Sequence, residues 1–175
     1  MKTAIFHEHG GPEKLLYEEY DSPKANQGEV IIQTKACGMN HVDLLLLDGR
    51  YPPPGGLPHI NGCEVVGLVS EVGHEVDNIK IGDRVIVFPG FSCGECEYCL
   101  QGERTVCLKY GYLGAATHGG YAEFVKVPAS NCLLLPEKIS DIDGAAIPLA
   151  FLTSWHALFT QAKLQSGEWV LVQAG

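Results

Sequence analysis

Four cysteines carry the clearest chemistry in this 175-residue chain: Cys93, Cys96, Cys99 and Cys107. The run is Cys93-Gly94-Glu95-Cys96-Glu97-Tyr98-Cys99, then seven residues, then Cys107. A two-residue gap lets one loop turn aim two sulfurs at the same ion. Four thiolates then close a tetrahedron that leaves no position for water, the ligand set of a structural zinc. Gly94 and Gly102 relieve the backbone as it wraps around the metal. An iron–sulfur cluster uses a related run, but its bacterial pattern places the fourth cysteine after three residues and follows it with proline. Here Leu108 follows. Disulfides need an oxidising compartment, which nothing in the sequence indicates. A structural zinc contributes on the order of 10 kcal/mol to folding. It would pin a lobe that has few apolar residues of its own. The remaining cysteines, Cys37, Cys63 and Cys132, sit near apolar strand residues and read as small buried hydrophobes.

The elements that must position this loop are mostly strands. Hydrophobic residues make up 46% and charged residues 19%, an ordinary globular balance that argues against disorder. Lys2–Phe6 and Leu15–Tyr20 read as strands split by the turn cluster His9-Gly10-Gly11-Pro12. In Val30–Ala36 the residues Val30, Ile32, Thr34 and Ala36 alternate with Ile31, Gln33 and Lys35, a half-buried strand. Met39–Leu47 predicts a short helix, stopped by Asp48-Gly49 and Pro52–Pro54. Strands are expected at Gly62–Val72, Arg84–Phe88, Tyr121–Val127 and near Leu133–Leu135. Ser140–Ala146 and Pro148–Ala162 read as helices, with Ser140 as a cap and Pro148 in a first turn. Within the second, Leu149, Leu152, Trp155 and Phe159 repeat at helical spacing, and Trp155 is expected in a core. Glu168–Val172 reads as an apolar strand followed by Gln173-Ala174-Gly175. A strand and a glycine open a dinucleotide-binding unit, but no fingerprint follows.

Bulk charge narrows the partners. With 21 acidic and 12 basic residues the net charge is −9, and no Lys/Arg cluster occurs. Phosphate backbones and anionic lipid would be repelled, so neither nucleic acid nor a membrane surface is an expected partner. The start, MKTAIFHEHGGPEK, has too short an apolar stretch for a signal peptide, and no run approaches the ~20 apolar residues of a membrane helix. The expected location is the cytoplasm. His7, His9, His59, His74 and His118 fall mostly in turns and are read as solvated.

Several segments in this order resemble a known family. They are Lys35-Ala36-Cys37-Gly38-Met39-Asn40-His41-Val42-Asp43, Gly62-Cys63-Glu64-Val65-Val66-Gly67, Gly82-Asp83-Arg84-Val85, the cysteine lobe, and Gly119-Gly120-Tyr121-Ala122-Glu123-Phe124. The chain is similar throughout to zinc-containing medium-chain dehydrogenases/reductases, the superfamily of alcohol dehydrogenases and quinone oxidoreductases. The resemblance implies a mainly β fold, a GroES-like irregular β-barrel with a cysteine-rich zinc lobe. It places a GroES-like catalytic domain over residues 1–147, with the lobe at about 90–112. Residues 148–175 would be a connecting helix and the first strand of a truncated Rossmann domain. By itself this chain is then expected to be inactive, the catalytic half of an NAD(P)-dependent enzyme that acts on a small molecule as a homo-oligomer.

The family's alcohol dehydrogenases hold a second, catalytic zinc with a Cys, the His of Gly-His-Glu and a later Cys. Those positions here are Asn40, Cys63 and Leu149. Leucine has no donor and an amide oxygen suits zinc poorly. The proton-relay position is Val42. Asparagine at this place resembles the quinone-oxidoreductase branch, which orients the nicotinamide against an activated C=C bond without a catalytic metal. The resemblance thus implies Asn40, Asp43 and Glu64 as catalytic-site residues. Asn40 would donate a hydrogen bond to the substrate carbonyl; as a helix cap it has an equal alternative. By the same resemblance His41 faces the cofactor pyrophosphate and Thr153 the nicotinamide. His41 would otherwise be a surface residue, and Thr153 would bond back to its own helix. Two rivals stay open: a zinc alcohol dehydrogenase with the unusual ligands Cys63, Glu64 and Cys37 or His41, and a non-catalytic module stabilised by zinc.

Overall fold

A computed structural model describes residues 1–173. The frame is one antiparallel five-stranded sheet. Its strands are β3 (Glu29–Gly38), β4 (Glu64–Val72), β5 (Arg84–Val87), β8 (Phe124–Pro128) and β9 (Cys132–Leu134), in the order β8-β3-β4-β5-β9. The alternation in the sequence is what builds it. Val30, Ile32, Val65, Val85, Val125 and Val127 turn one way and form a common buried core, as a pleat with a side-chain period of two requires. β3 and β4 are long and central, with register shifts at Ile31/Ile32 and Thr34/Ala36 that curve the pair. Gly67 lies in that pair because a Cβ would overlap the Gln33 carbonyl.

A hairpin of β1 (Lys2–Ile5) and β2 (Leu16–Glu19) attaches beside β8. Ala4 N–H donates to the Tyr121 carbonyl (2.8 Å) and Glu123 N–H to that of Lys2 (3.0 Å). The sheet is curved but its ladder is open, with β8 and β9 at the edges. The mainly β class with few helices is as expected. The expected Tyr121–Val127 strand begins later, at Phe124: Tyr121 and Glu123 bond to β1, and the Glu123 carbonyl also accepts the Thr34 N–H of β3 at 3.0 Å.

Two short strands, β6 (Gly90–Phe91) and β7 (Gly111–Tyr112), pair with each other. They pinch the ends of the cysteine lobe, which holds the single-turn helix α2 (Glu97–Leu100). Leu100, Val106 and Leu108 in the lobe are exposed, so apolar burial supplies little of its stability.

Helix α1 (His41–Leu47) starts two residues later than the sequence suggests, with extended Asn40 at its N-cap. It docks through Leu46 and Leu47 against Phe6 and Ala115. Helix α3 (Asp141–Ala145) is capped by Ser140, whose hydroxyl accepts the Asp143 N–H at 3.1 Å. Arg84 fixes its start through Asp141 (2.7 Å) and the Ile139 carbonyl (2.6 Å).

The segment from Ile147 to Gln161 is helical, as expected, but unevenly wound. A single turn α4 (Leu152–Trp155) sits between two wide π turns, Ile147–Phe151 and His156–Gln161. Trp155 is 62% exposed, its ring tilted against that of Phe159 with centroids 4.5 Å apart, which corrects the expected core position. Helical periodicity marks an apolar stripe; it does not say that anything covers the stripe. The expected strand at Glu168–Val172 is not formed, and Trp169, Leu171 and Val172 lie exposed. A strand exists only through pairing, and no described segment offers a ladder to this one. The expected glycine that follows it, in Ala174-Gly175, lies outside the described residues.

Candidate functional site

Two separate arrangements of functional side chains emerge. The first is the lobe. The sulfurs of Cys93, Cys96, Cys99 and Cys107 all lie within 4.8 Å of one another. Three separations are 3.9 Å (Cys93–Cys99), 3.9 Å (Cys96–Cys107) and 3.5 Å (Cys107–Cys93). Zn–S bonds of about 2.3 Å in a tetrahedron place sulfurs roughly 3.8 Å apart, so the spacing fits zinc. Backbone N–H groups point at the sulfurs: Cys96 to Cys93 (3.4 Å), and Cys93 and Lys109 to Cys107 (both 3.3 Å). Such donors favour the thiolate. The N–H of Cys99 and then that of Leu108 hold the Cys96 thiol below its ordinary range, and the N–H of Cys93 does the same for Cys107. Among the described residues this is the one group of three or more His, Cys, Asp or Glu side chains placed to share an ion.

The second arrangement lies where β3 ends, α1 begins and β4 starts. Asp43, buried on α1, is its hub. One carboxylate oxygen accepts the Asn40 N–H (2.8 Å) and the Tyr121 hydroxyl (2.9 Å), and the other accepts the Gly62 N–H (3.2 Å). Its carbonyl takes the Asn61 amide at 2.8 Å. Asp43 therefore sets the spacing between Asn40 and the Gly62-Cys63-Glu64 segment. The Asn40 side chain crosses that gap. Its Nδ2 lies 2.9 Å from Glu64 Oε2 and 3.6 Å from the Cys63 sulfur. Glu64, also buried, accepts the N–H groups of Leu149 (3.0 Å) and Ala150 (2.8 Å) with Oε1.

The three positions Asn40, Cys63 and Leu149 thus gather around Glu64. The structure brings Asn40, Asp43 and Glu64 together as one bonded network. His41 opens α1 and Thr153 lies in α4; both are exposed. Neither shares a bond with the network. Asn40 occupies the cap position and turns its side-chain amide inward, toward Glu64 and Cys63.

Burial pushes the Cys63 thiol up to about 12, with Asp43 and Glu64 adding to the effect. Cys37 is driven up mainly by burial, and then by Cys63. Both are neutral thiols in this setting. Val42 packs with the Phe6–Leu46 cluster.

Two contributors escape a reading of the sequence. Tyr121 reaches Asp43 from 78 residues away. Its place in Gly119-Gly120-Tyr121 marks a backbone turn and gives no hint of the hydroxyl's target. His59 is buried, not solvated: its Nε2 is 2.9 Å from the Gly114 carbonyl and its ring meets Phe6 edge-on at 5.7 Å. Neighbouring Pro58 and Gly62 suggest an exposed turn, but Gly114 closes over it. His9 is half-buried as well, with Nδ1 3.1 Å from the Leu46 carbonyl. His7, His74 and His118 are exposed, as expected.

Comparison with known proteins agrees on the domain. The model of the alcohol dehydrogenase GroES-like domain matches residues 26–137. An alcohol dehydrogenase of Schizosaccharomyces pombe is 36% identical over 171 residues, covering 97% of this chain and 49% of the relative. One from Geobacillus stearothermophilus is 39% identical over 174 residues, covering 98% and 50%. A crystal structure of an NAD-dependent alcohol dehydrogenase superposes with a TM-score of 0.92 at 38% identity, covering 96% of this chain and 49% of that one. A cobalt- and zinc-bound thermostable alcohol dehydrogenase from Pyrobaculum aerophilum gives 0.89 at 34%, covering 96% and 50%. The chain spans about half the length of the curated relatives it matches.

Proposed function

The chain belongs to the alcohol dehydrogenase GroES-like domain family, and on that premise we propose that it is the catalytic-domain portion of an NAD(P)-dependent oxidoreductase that reduces an activated C=C bond, in an enone or quinone, without a catalytic metal. The observation that carries this reading is the donor set around Glu64. Asn40 directs N–H groups inward, Leu149 contributes only a backbone N–H, and Glu64 already accepts three hydrogen bonds. This set presents N–H donors where a catalytic zinc would need three ligand side chains, and Leu149 has no donor atom to offer a metal.

When bound, the nicotinamide supplies the hydride, which adds to the β-carbon of the enone. The chain's own groups manage the charge that results. As electrons move onto the carbonyl oxygen, the Asn40 N–H that faces Cys63 meets it. That hydrogen has only a thiol as partner, at 3.6 Å, and sulfur is a weak acceptor, so a substrate oxygen displaces it readily. The other Asn40 N–H stays with Glu64 and keeps the amide from turning. A solvent proton then completes the α-carbon. His41 and Thr153 are proposed to face the pyrophosphate and the nicotinamide. Residues from 148 onward are proposed to connect to the cofactor domain.

Zinc in the lobe would be bound by Cys93, Cys96, Cys99 and Cys107 and would fix the loop; its closed coordination leaves no position for substrate. The rival reading, a catalytic zinc on Cys63, Glu64 and Cys37 or His41, would place the metal on a carboxylate that already accepts three N–H donors, and the described residues do not gather those side chains into a metal-binding group. The alternative of a non-catalytic zinc-stabilised module applies to this domain acting alone.

The test is substrate preference in the protein carrying this domain together with its cofactor domain. NAD(P)H oxidation driven by a cyclic enone, with little oxidation of a primary alcohol by NAD(P)+, is the expected result. The reverse preference contradicts the reading. Asn40→Ala is expected to lower kcat for the enone by about 100- to 1000-fold, the range for losing one oxyanion donor.

A further inference from the structure

We infer that Glu64 is a positioning residue with two tasks: it sets which end of the Asn40 amide meets the substrate, and it seats the start of the helix that carries Thr153. The inference deepens the reading of Asn40 and Thr153 given above and rests on it.

Three N–H donors converge on this one buried side chain from segments far apart in the chain. Asn40 lies 24 residues away, Leu149 85 and Ala150 86. Glu64 is 3% exposed. A buried carboxylate is strongly disfavoured unless donors satisfy it, so these three bonds hold the fold locally. Room for the carboxylate is also built in. Gly38, on the neighbouring strand, is where any Cβ would run into Glu64 Oε2.

The amide direction follows from acceptor chemistry. An ionised carboxylate only accepts. Facing Oε2, Asn40 must present its NH2; the turned amide would set two oxygens against each other. The carboxylate thereby fixes the remaining N–H toward Cys63, where the substrate oxygen is proposed to bind. The opposite oxygen, Oε1, takes N–H groups from the first turn of the Ile147–Gln161 helical segment, where no intrahelical acceptor exists. Thr153 lies three residues beyond Ala150, about one helical turn. One side chain thus links the substrate side and the cofactor side.

Glu64→Gln separates the two tasks. A glutamine oxygen still accepts from Leu149 and Ala150, but its NH2 opposes that of Asn40. In the zinc-loaded protein, amide exchange at Leu149 and Ala150 is expected to stay within about twofold of the parent, while the Asn40 side-chain NH2 exchanges at least tenfold faster. With the cofactor domain present, kcat for an enone is expected to fall at least tenfold while KM for the cofactor changes less than threefold. Glu64→Ala is expected to raise exchange at Leu149 and Ala150 at least tenfold. The inference is overturned if Leu149 and Ala150 remain as protected in Glu64→Ala as in the parent, or if the Asn40 NH2 is unchanged in Glu64→Gln. The exchange signals read geometry without turnover. A parent protein that transfers no hydride to any enone would therefore defeat the reaction reading alone.

Discussion

Asp43 shows how much one buried carboxylate organises at the residue scale. It holds the N–H groups of Asn40 and Gly62 and the Tyr121 hydroxyl, so the donor side chain and the β4 entrance keep a fixed spacing. Removing the Tyr121 hydroxyl leaves Asp43 with one donor fewer. Tyr121→Phe is expected to cost about 1–3 kcal/mol in urea unfolding, with the urea dependence unchanged. His59 makes a second prediction. Burial lowers its affinity for protons, offset in part by the Gly114 carbonyl and reinforced by His118 and then His9. The unfolded chain therefore binds protons more readily than the folded one. Stability is full above the ordinary histidine pKa of about 6.5 and falls as pH drops through it. The melting temperature is expected to fall between pH 7.5 and 5.5, and His59→Gln to show a shallower fall than the parent. An equal fall in both would count against His59 as the cause.

At the scale of elements, the sheet depends on a close backbone approach. Gly67 sits where β3 and β4 come together, and an added methyl would have to displace the Gln33 carbonyl from the ladder. Gly67→Ala is expected to destabilise the protein by about 3 kcal/mol, the upper end for overpacking, as measured by chemical denaturation. The lobe is proposed to depend on a bound zinc instead. Chelation of the zinc is expected to raise amide exchange from Cys96 to Val106 while the β3 and β4 amides stay protected; uniform exposure of both would show that the lobe and sheet unfold together. These elements differ in how far the sequence discloses them. Valine and isoleucine at alternate positions disclose β3, β4 and β5, and cysteine spacing discloses the lobe, because in each case the partners are near in sequence or follow a fixed period. Glu64 binding Leu149, Tyr121 binding Asp43 and Gly114 covering His59 all depend on long-range placement, which no local pattern encodes. The exposure of Trp155 and the unpaired state of residues 168–172 follow from what does not cover them, which periodicity cannot report.

For the whole molecule, the net charge is −9, and among the described residues no helix is long and apolar enough to cross a membrane. The exposed Phe151, Trp155 and Phe159 belong to the segment proposed to lead into the cofactor domain, and assembly into a homo-oligomer is proposed on the same family basis. Fluorescence titration of this chain with NAD(P)H is expected to show no binding in the micromolar range, and tight binding would contradict a catalytic portion that relies on a separate nucleotide domain. The central claim is that the domain holds one structural zinc and that Asn40, in place of a metal, meets the substrate. Anomalous diffraction at the zinc edge tests it most directly. The account predicts a single peak, at Cys93, Cys96, Cys99 and Cys107; a second peak of comparable occupancy beside Cys63 and Glu64 would contradict it.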